Sequence, residues 1–470
     1  MMNSVSRFAC SPVYPLTGQR ANGPNGLNGI DRFGLDWRGR SVLVVGLGKS
    51  GVAACRLLQQ KGCRVRASEL HDTKALRAVA SELLAEGIEQ VELGRHSRAL
   101  VEGCGLVVVS PGIPESAAPV RFAREAGTTI VSEVELAFRF CVAPIVAVTG
   151  TNGKSSVVTL IQAVLQAAGR PAIACGNLGT PCAAVLPSLA ADTVAVVELS
   201  SFQLLGCDQF RPRIGVLLNL GTNHLDRHHD RASYIAAKAR LFQRQTPADY
   251  AVLNGGDAEV ISLSHSLRAQ RVWFGENRDN PQALWLDPVT CRSLSTNAQA
   301  VLQVGRLLEV PDPLTYQVIR EFRGLAHRLE YVAAIHGVSI VNDSKSTTPE
   351  SLLYALARCP GPVVPIVGGK DKNLDFSPLH DALERKSVRG VVLIGESRAR
   401  LRALLNGSTI VRECDTLQAA VQEAMALAHP GDTILFSPAC ASFDMFKNFE
   451  ERGAVFRQLV HQLQKTVHSR

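Results

Sequence analysis

The chain has 470 residues, 46% of them hydrophobic and 20% charged, with a formal net charge of +8. That length accommodates roughly two to four domains of about 100–200 residues, and the composition excludes wholesale disorder. No apolar run approaches the roughly 20 residues needed to cross a bilayer, and with aromatics at 5% and no basic block the positive charge reads as a mild attraction for small anions rather than a nucleic-acid surface.

Residues 1–40 are rich in Gly, Asn and Pro and read as a flexible N-terminal tail. The stretch lacks the uninterrupted apolar core of a secretory signal, and a transit peptide is disfavoured because the amphipathic pattern is poor. The 12 cysteines include no Cys-x-x-Cys pair, and many, such as Cys55 and Cys141, sit inside apolar runs. Free buried thiols in a cytoplasmic protein fit this usage better than a disulfide framework or a zinc site.

Three α/β blocks follow. The first, 41–142, opens with "SVLVVGLGKSGVAACRLLQQKG", a short apolar strand over 41–45, a glycine turn and a helix with apolar residues at helical spacing. "CRVRASE" and "GLVVVSPGIP" add strands, and Ser132 with Glu135 forms a capping box ahead of the boundary at Pro144. Gly46, Gly48 and Gly51 match a dinucleotide-type turn, with Glu69 as the acid that would meet a ribose; the turn alone fits NAD or any diphosphate. A dehydrogenase is disfavoured, because nothing beside the turn supplies a base for hydride transfer.

The second block, 143–324, opens with strand "PIVAVTG" and the loop "TGTNGKSS". Gly150, Thr151, Asn152, Gly153, Lys154, Ser155 and Ser156 join a strand to a helix N-terminus, where backbone N–H groups and the helix dipole favour phosphate. The usual loop has glycine at the outer position, which is Val148 here. Lys154 adds a mobile charge and Ser155 a hydroxyl for Mg²⁺; the alternative is an ordinary strand-to-helix turn. The runs "TVAVVELSS", "RIGVLLNLG", "DYAVLNGGD" and "RVWFGEN" are apolar enough for strands of a sheet covered on both faces. Glu198 ends one of them, where a carboxylate can hold Mg²⁺ or simply face solvent. His224 follows another strand end. Lys238 lies on a helix beginning near Ser233 and is expected, from its apolar neighbours, to snorkel to solvent.

The third block, 325–470, opens with a hairpin that turns at His336-Gly337. Strands "VVPIVGG", "VVLIGES" and "DTILFSPA" alternate with helices over 349–358, 397–405 and 416–428, a second doubly wound pattern. Arg328 and Lys345 place cations at its entrance, with Asp343 and Thr347 on the turn before a helix. They suit a transferring phosphoryl group or an interdomain ion-pair set equally well. Lys372 and Ser442 follow strand ends and face a ligand crevice by the switch-point rule. Phe443, Phe446 and Phe449 read partly as core.

In this order, "TGTNGKSS", "ELSSFQL", "NHLDRH", "AAKARLF", "HRLEYV", "NDSKST", "GGKDKNLDF" and "SPACASFDMFKNFEERG" resemble the Mur ligase family over roughly residues 41–460. The last three resemble the member that adds D-glutamate. The resemblance implies a three-domain α/β protein: a Rossmann-like UDP-substrate domain, a central P-loop ATPase domain with a mostly parallel sheet, and a Rossmann-like C-terminal domain that closes over the amino-acid site. It implies a monomeric, Mg²⁺- and ATP-dependent ligase of peptidoglycan synthesis. ATP would phosphorylate the carboxylate of UDP-N-acetylmuramoyl-L-alanine, and the D-glutamate amine would displace the phosphate. Alternatives are a catalytically weak UDP-sugar-binding homologue and a sister ligase with another amino acid.

Carried over by position, the resemblance gives Lys154 and Ser155 to the ATP phosphates and Mg²⁺, and Glu198 and His224 to two Mg²⁺ ions. It makes Lys238 a carbamylated lysine, against the reading from its neighbours. Arg328 would touch phosphate and Asp343 the nucleotide side. Lys345, Thr347, Lys372, Ser442 and the backbone near Phe449 would receive D-glutamate, Asn177 the substrate, and Gly48, Ser50 and Ser110 the uridine diphosphate. Three departures stand out. In the adenine-contacting stretch "CRSLSTNAQAVLQVG" only Asn297 of the family's Gly-x-His-Asn-x-x-Asn is present; Asn223 replaces an acid before His224; and "RASELHD" lacks the usual uracil contacts.

Overall fold

The computed structural model describes residues 29–221, 230–275, 295–322, 324–359, 361–372, 374–405 and 409–468. They form two compact units, Met1–Phe322 and Arg323–Arg470. Among them no helix is long and apolar enough to cross a membrane.

The first unit carries two parallel sheets. One is built from β1 (Ser41–Val45), β2 (Arg64–Glu69), β3 (Gln90–Leu93), β4 (Leu106–Val109) and β5 (Thr129–Ser132), in the order β3-β2-β1-β4-β5. The other comprises β6 (Ile145–Thr149), β7 (Ala172–Gly176), β8 (Val194–Glu198), β9 (Ile214–Leu217), β10 (Tyr250–Asn254) and β11 (Gln270–Phe274), in the order β11-β10-β9-β6-β8-β7. β6, β8 and β9 are buried along their whole length, which is why they read as unbroken apolar runs rather than alternating ones. β3 and β5 carry no such run and are not legible in the sequence as strands; β7, AIACG, is apolar but short and only partly buried, and is not among the strands expected from the sequence.

In each sheet the chain order reverses beside the first strand, at β1/β4 and at β6/β9. The C-terminal ends of these strands open a crevice for ligands. The glycine turn after β1 and the "TGTNGKSS" loop after β6 lie at these two points.

Residues 29–40 belong by composition to a flexible tail but are folded. Asp31 is buried and accepts from the Phe33 and Leu35 amides and from Trp37 Nε1. Trp37 in turn packs edge-on against Phe140. A low-complexity composition hid one indole and one carboxylate that together pin the segment.

One apolar core runs from Trp37, Leu57 and Phe140 through Val134 and Leu136 to Cys182, Leu204 and Phe210, so both sheets of the first unit share it. The capping box is only half formed. Ser132 Oγ accepts from the Glu135 amide, but the Glu135 carboxylate accepts from the amides of Asp208, Gln209 and Phe210 instead of turning back to Ser132. The Ser132 amide donates to Gly206 O.

The second unit holds a mixed sheet of β12 (Glu330–Ile335), β13 (Val338–Asn342), β14 (Val363–Gly368), β15 (Val391–Ile394), β16 (Val411–Glu413) and β17 (Thr433–Phe436), in the order β12-β13-β17-β14-β15-β16. Only β12 is antiparallel, paired with β13 through the expected turn at His336-Gly337, where both residues have positive φ. Helices Pro349–Leu356, Arg398–Leu404 and Leu417–Leu427 fall within the ranges read from the sequence.

Candidate functional site

In the first unit the phosphate loop is held from three sides. The Asn152 amide donates to Asn219 Oδ1, and Asn219 Nδ2 donates back to Asn152 O. Thr151 Oγ1 lies 2.9 Å from Tyr234 Oη and accepts from the Gly221 amide. Lys154 Nζ donates to Gly150 O and Thr151 O, both at 2.9 Å. Ser155 is buried and Ser156 half-buried in the first turn of the helix Lys154–Ala167. Gly153 caps that helix with φ 87, and an added Cβ would lie 2.5 Å from the Asn297 side-chain amide. Asn297 therefore stands directly over the loop, on the helix Thr296–Leu307.

Glu198 ends β8, beside β6. It is 2% exposed, its Oε1 accepts from Asn177 Nδ2 at 2.8 Å, and its Oε2 has no hydrogen-bond partner among the described residues. A buried carboxylate oxygen without a donor is costly, and a cation would satisfy it. Mg²⁺ is typically held by one or two carboxylates together with substrate phosphates. Glu198 and Ser155 at a phosphate loop fit that donor set, and no group of three or more His, Cys, Asp or Glu is gathered among the described residues. His224 lies outside the described residues.

Lys238 does not snorkel. It is 2% exposed, donates to Gly150 O at 2.9 Å and to Thr149 Oγ1 at 3.4 Å, and its ammonium lies over the Tyr234 ring. Burial, and then the charge of Lys154, push its pKa well below the ordinary lysine value, against a smaller opposing pull from Glu198. The expectation failed because helical spacing places Lys238 among apolar neighbours but does not show that the polar floor of the phosphate loop lies beyond them.

At the first sheet, Ser110 Oγ donates to Gly46 O, while Gly48 and Ser50 border the turn that opens the helix Lys49–Gln60. Gly51 packs so closely that a Cβ would lie 1.7 Å from Gly46 O. Glu69, expected at a ribose, accepts from the amides of Leu47 and His71. Its carboxylate braces the glycine turn.

In the second unit, Arg328 lies between two residues of left-handed backbone, His327 (φ 63) and Leu329 (φ 46), a strained arrangement of the kind that gathers at functional sites. Both Asp343 oxygens are engaged, by the Leu329 amide and by Ser437 Oγ. Burial raises its pKa to about 6, although those two bonds and Arg328 favour the ionised form. The ammonium of Lys345 lies 5.8 Å from the centre of the Phe449 ring. Lys372 is exposed and lies over the exposed ring of Phe443 at 5.2 Å. A bridge between Lys370 and Ala441 sets the segments bearing Lys372 and the buried Ser442 side by side. Thr347 is half-buried just ahead of the helix Pro349–Leu356.

Three residues that brace these sites were not read from the sequence: Asn219, Tyr234 and Arg452. Asn219, within "VLLNLG" and two residues past the end of β9, lies in a strand-end position as Glu198 does. Arg452, 1% exposed, donates from Nε to Ser344 Oγ, from Nη1 to Cys440 O and from Nη2 to Ser344 O. Nothing in its helical spacing announces those bonds.

Three family models match the chain: Mur ligase MurD-like, N-terminal domain over residues 40–132; Mur ligase middle domain over 148–310; and Mur ligase, glutamate ligase domain over 327–440. Among similar proteins, the UDP-N-acetylmuramoylalanine--D-glutamate ligase of Pelotomaculum thermopropionicum is 38% identical, covering 92% of this chain and 99% of its own. The ligase of the same name from Geotalea uraniireducens is 38% identical, over 90% of this chain and 98% of its own. A solved structure of UDP-N-acetylmuramate-alanine ligase MurC from Thermotoga maritima shares the fold, with a TM-score of 0.53 at 17% identity, over 91% of this chain and 99% of that one.

Proposed function

The chain belongs to the Mur ligase family, and on that premise we propose how its residues carry out the reaction. The reaction is ATP-dependent addition of D-glutamate to UDP-N-acetylmuramoyl-L-alanine, a step of peptidoglycan synthesis. A carboxylate is a poor electrophile. Transfer of the ATP γ-phosphoryl group to its oxygen gives an acyl phosphate and ADP. The D-glutamate amine then adds to the acyl carbon, the nitrogen loses a proton, and the C–O bond to phosphate breaks to leave the amide.

The observation that carries the reading is the buried, unpartnered Glu198 Oε2 beside a phosphate loop. Glu198 and Ser155 would hold one Mg²⁺, and a carbamylated Lys238 and His224 would serve the pair of ions. Mg²⁺, when bound, neutralises phosphate charge and polarises the transferring group. The loop residues 150–156 cradle the phosphates, Lys154 follows their charge, and Asn297 covers the loop on the nucleotide side.

A buried lysine amine that favours its neutral form is the species that reacts with CO₂. Carbamylation turns Lys238 from a cation, which would repel a metal, into an oxygen ligand. In the second unit Arg328 meets phosphate and Asp343 braces the nucleotide side. Lys345, Thr347, Lys372, Ser442 and the backbone at Phe449 receive D-glutamate, the two lysines pairing with its carboxylates. Gly48, Ser50, Ser110 and Asn177 serve the UDP-substrate. The stretches 41–142, 143–324 and 325–470 then divide the three ligands among them. A cytoplasmic setting fits the use of ATP and the ten described cysteines, all free.

The test is direct. Purified protein with Mg-ATP, UDP-N-acetylmuramoyl-L-alanine and a panel of amino acids should release phosphate and form a heavier nucleotide only with D-glutamate. Absence of that product at millimolar ATP would defeat the assignment.

A further inference from the structure

Glu133 opens the helix Glu133–Arg139, which follows β5 of the first sheet. Its side chain lies in the core shared with the central sheet and is 1% exposed. Oε1 accepts from the Ala183 amide, and Oε2 has no hydrogen-bond partner among the described residues. The thiols of Cys182 and Cys207 lie close enough to interact with its charge. If the position only filled space, an apolar side chain of this size would serve at lower cost.

Ala183 lies just beyond the loop 176–181, which connects β7 to the helix Cys182–Val185. The loop closes on itself through the Gly176 amide and Thr180 O, 2.8 Å apart. It carries Asn177, whose amide donates to Glu198 O and whose side chain donates to Glu198 Oε1. The near end of the loop is therefore tied to Glu198 and the far end to Glu133. Two positions along the same helix, Glu135 holds the amides of 208–210, which follow the helix Ser201–Leu205 on the other side of Glu198. One helix of the first sheet thus anchors the segments on both sides of Glu198.

We propose that Glu133 is a positioning residue for the divalent-cation site: through the Ala183 N–H it fixes the loop 176–181, and so sets Asn177 against Glu198 Oε1 and leaves Glu198 Oε2 to the cation. This rests on the reading of Glu198 as a Mg²⁺ ligand. Groups that orient a metal ligand typically change metal affinity by about 10–100-fold when removed. A group acting through one further loop belongs at the lower end of that range.

The test measures the free Mg²⁺ concentration that half-saturates ligation by the full chain. Glu133→Met keeps the volume and removes the acceptor; Glu133→Gln keeps an acceptor oxygen for the Ala183 N–H. The expected result is a roughly tenfold rise for Glu133→Met and less than about threefold for Glu133→Gln. Adding Glu133→Met to Asn177→Ala should cause no further rise. Unchanged Mg²⁺ dependence in Glu133→Met, or full additivity with Asn177→Ala, overturns the proposal. If Glu133→Met does not fold, the Gln variant decides: a rise as large as that of Asn177→Ala overturns it. Glu198→Gln separates the two levels, since an unaltered Mg²⁺ requirement there removes the metal reading itself.

Discussion

Lys154 and Lys238 donate to the same carbonyl oxygen, that of Gly150, each at 2.9 Å. Two ammonium groups this close repel each other, and the more buried one yields: Lys238 is shifted well below the ordinary lysine range by burial first and by Lys154 second. A neutral amine at the floor of a phosphate loop is ready to combine with CO₂. Lys238→Ala should therefore lose most of the ligase activity, and added bicarbonate should not restore it. ¹³C-bicarbonate should give a carbamate carbon resonance in the wild type and none in the variant. Near-wild-type activity in Lys238→Ala would remove the role.

Gly153 is constrained twice, by φ 87 and by the Asn297 amide 2.5 Å from where a Cβ would lie. Left-handed backbone costs an alanine about 1–2 kcal/mol, and the clash adds to this. Gly153→Ala should raise the KM for ATP by about tenfold or more, while the KM for D-glutamate stays near wild type. Asn297→Gly in the same chain should recover only part of the loss, because it relieves the clash and not the φ.

Burial raises the Glu133 pKa from 4.5 to about 7 against the single hydrogen bond from Ala183. The unfolded chain releases this proton near the ordinary value and the folded chain only near 7, so between them the folded state binds more protons and stability falls as pH rises. Below the window both states are protonated and no penalty exists; above it the full penalty is present, about 3 kcal/mol. Glu133→Gln lacks this contribution. Its stability relative to wild type, from denaturant unfolding, should rise by about that amount between pH 4.5 and 7.5. Parallel profiles for the two proteins would count against the burial argument.

The buried Arg452 guanidinium, held at a pKa of about 10 by desolvation, joins the segment after β13 to the segment after β17 through Ser344 and Cys440. Arg452→Met leaves two buried carbonyl oxygens without those donors and should destabilise the protein by about 3 kcal/mol. Arg452→Lys should recover little, because one ammonium cannot reproduce the planar fork. Unfolding curves decide this.

The strands that sit under the functional loops were legible because full burial makes them continuous apolar runs, as in β6, β8 and β9. The loop after β6 then follows from its glycine-Lys-Ser pattern at a strand end, and Glu198 from its place at the end of β8. Lys238 was not legible in this way: its burial depends on a loop 88 residues away, and only the resemblance to a family reversed the reading from its neighbours. Glu69 stands at the end of β2, where the sequence places it, and its carboxylate also braces the Leu47 amide, a contact that its position in the strand does not announce. Glu135 read as half of a capping box, while its carboxylate serves a segment more than 70 residues on. Local spacing fixes which element a residue sits on, and long-range packing decides what its polar atoms meet.

The central claim is that ATP activates the substrate carboxylate by taking one of its oxygens into phosphate. UDP-N-acetylmuramoyl-L-alanine labelled with ¹⁸O in both carboxylate oxygens tests it most directly. After turnover with Mg-ATP and D-glutamate, the inorganic phosphate should carry one ¹⁸O atom per amide bond formed. Unlabelled phosphate alongside amide product would contradict the account.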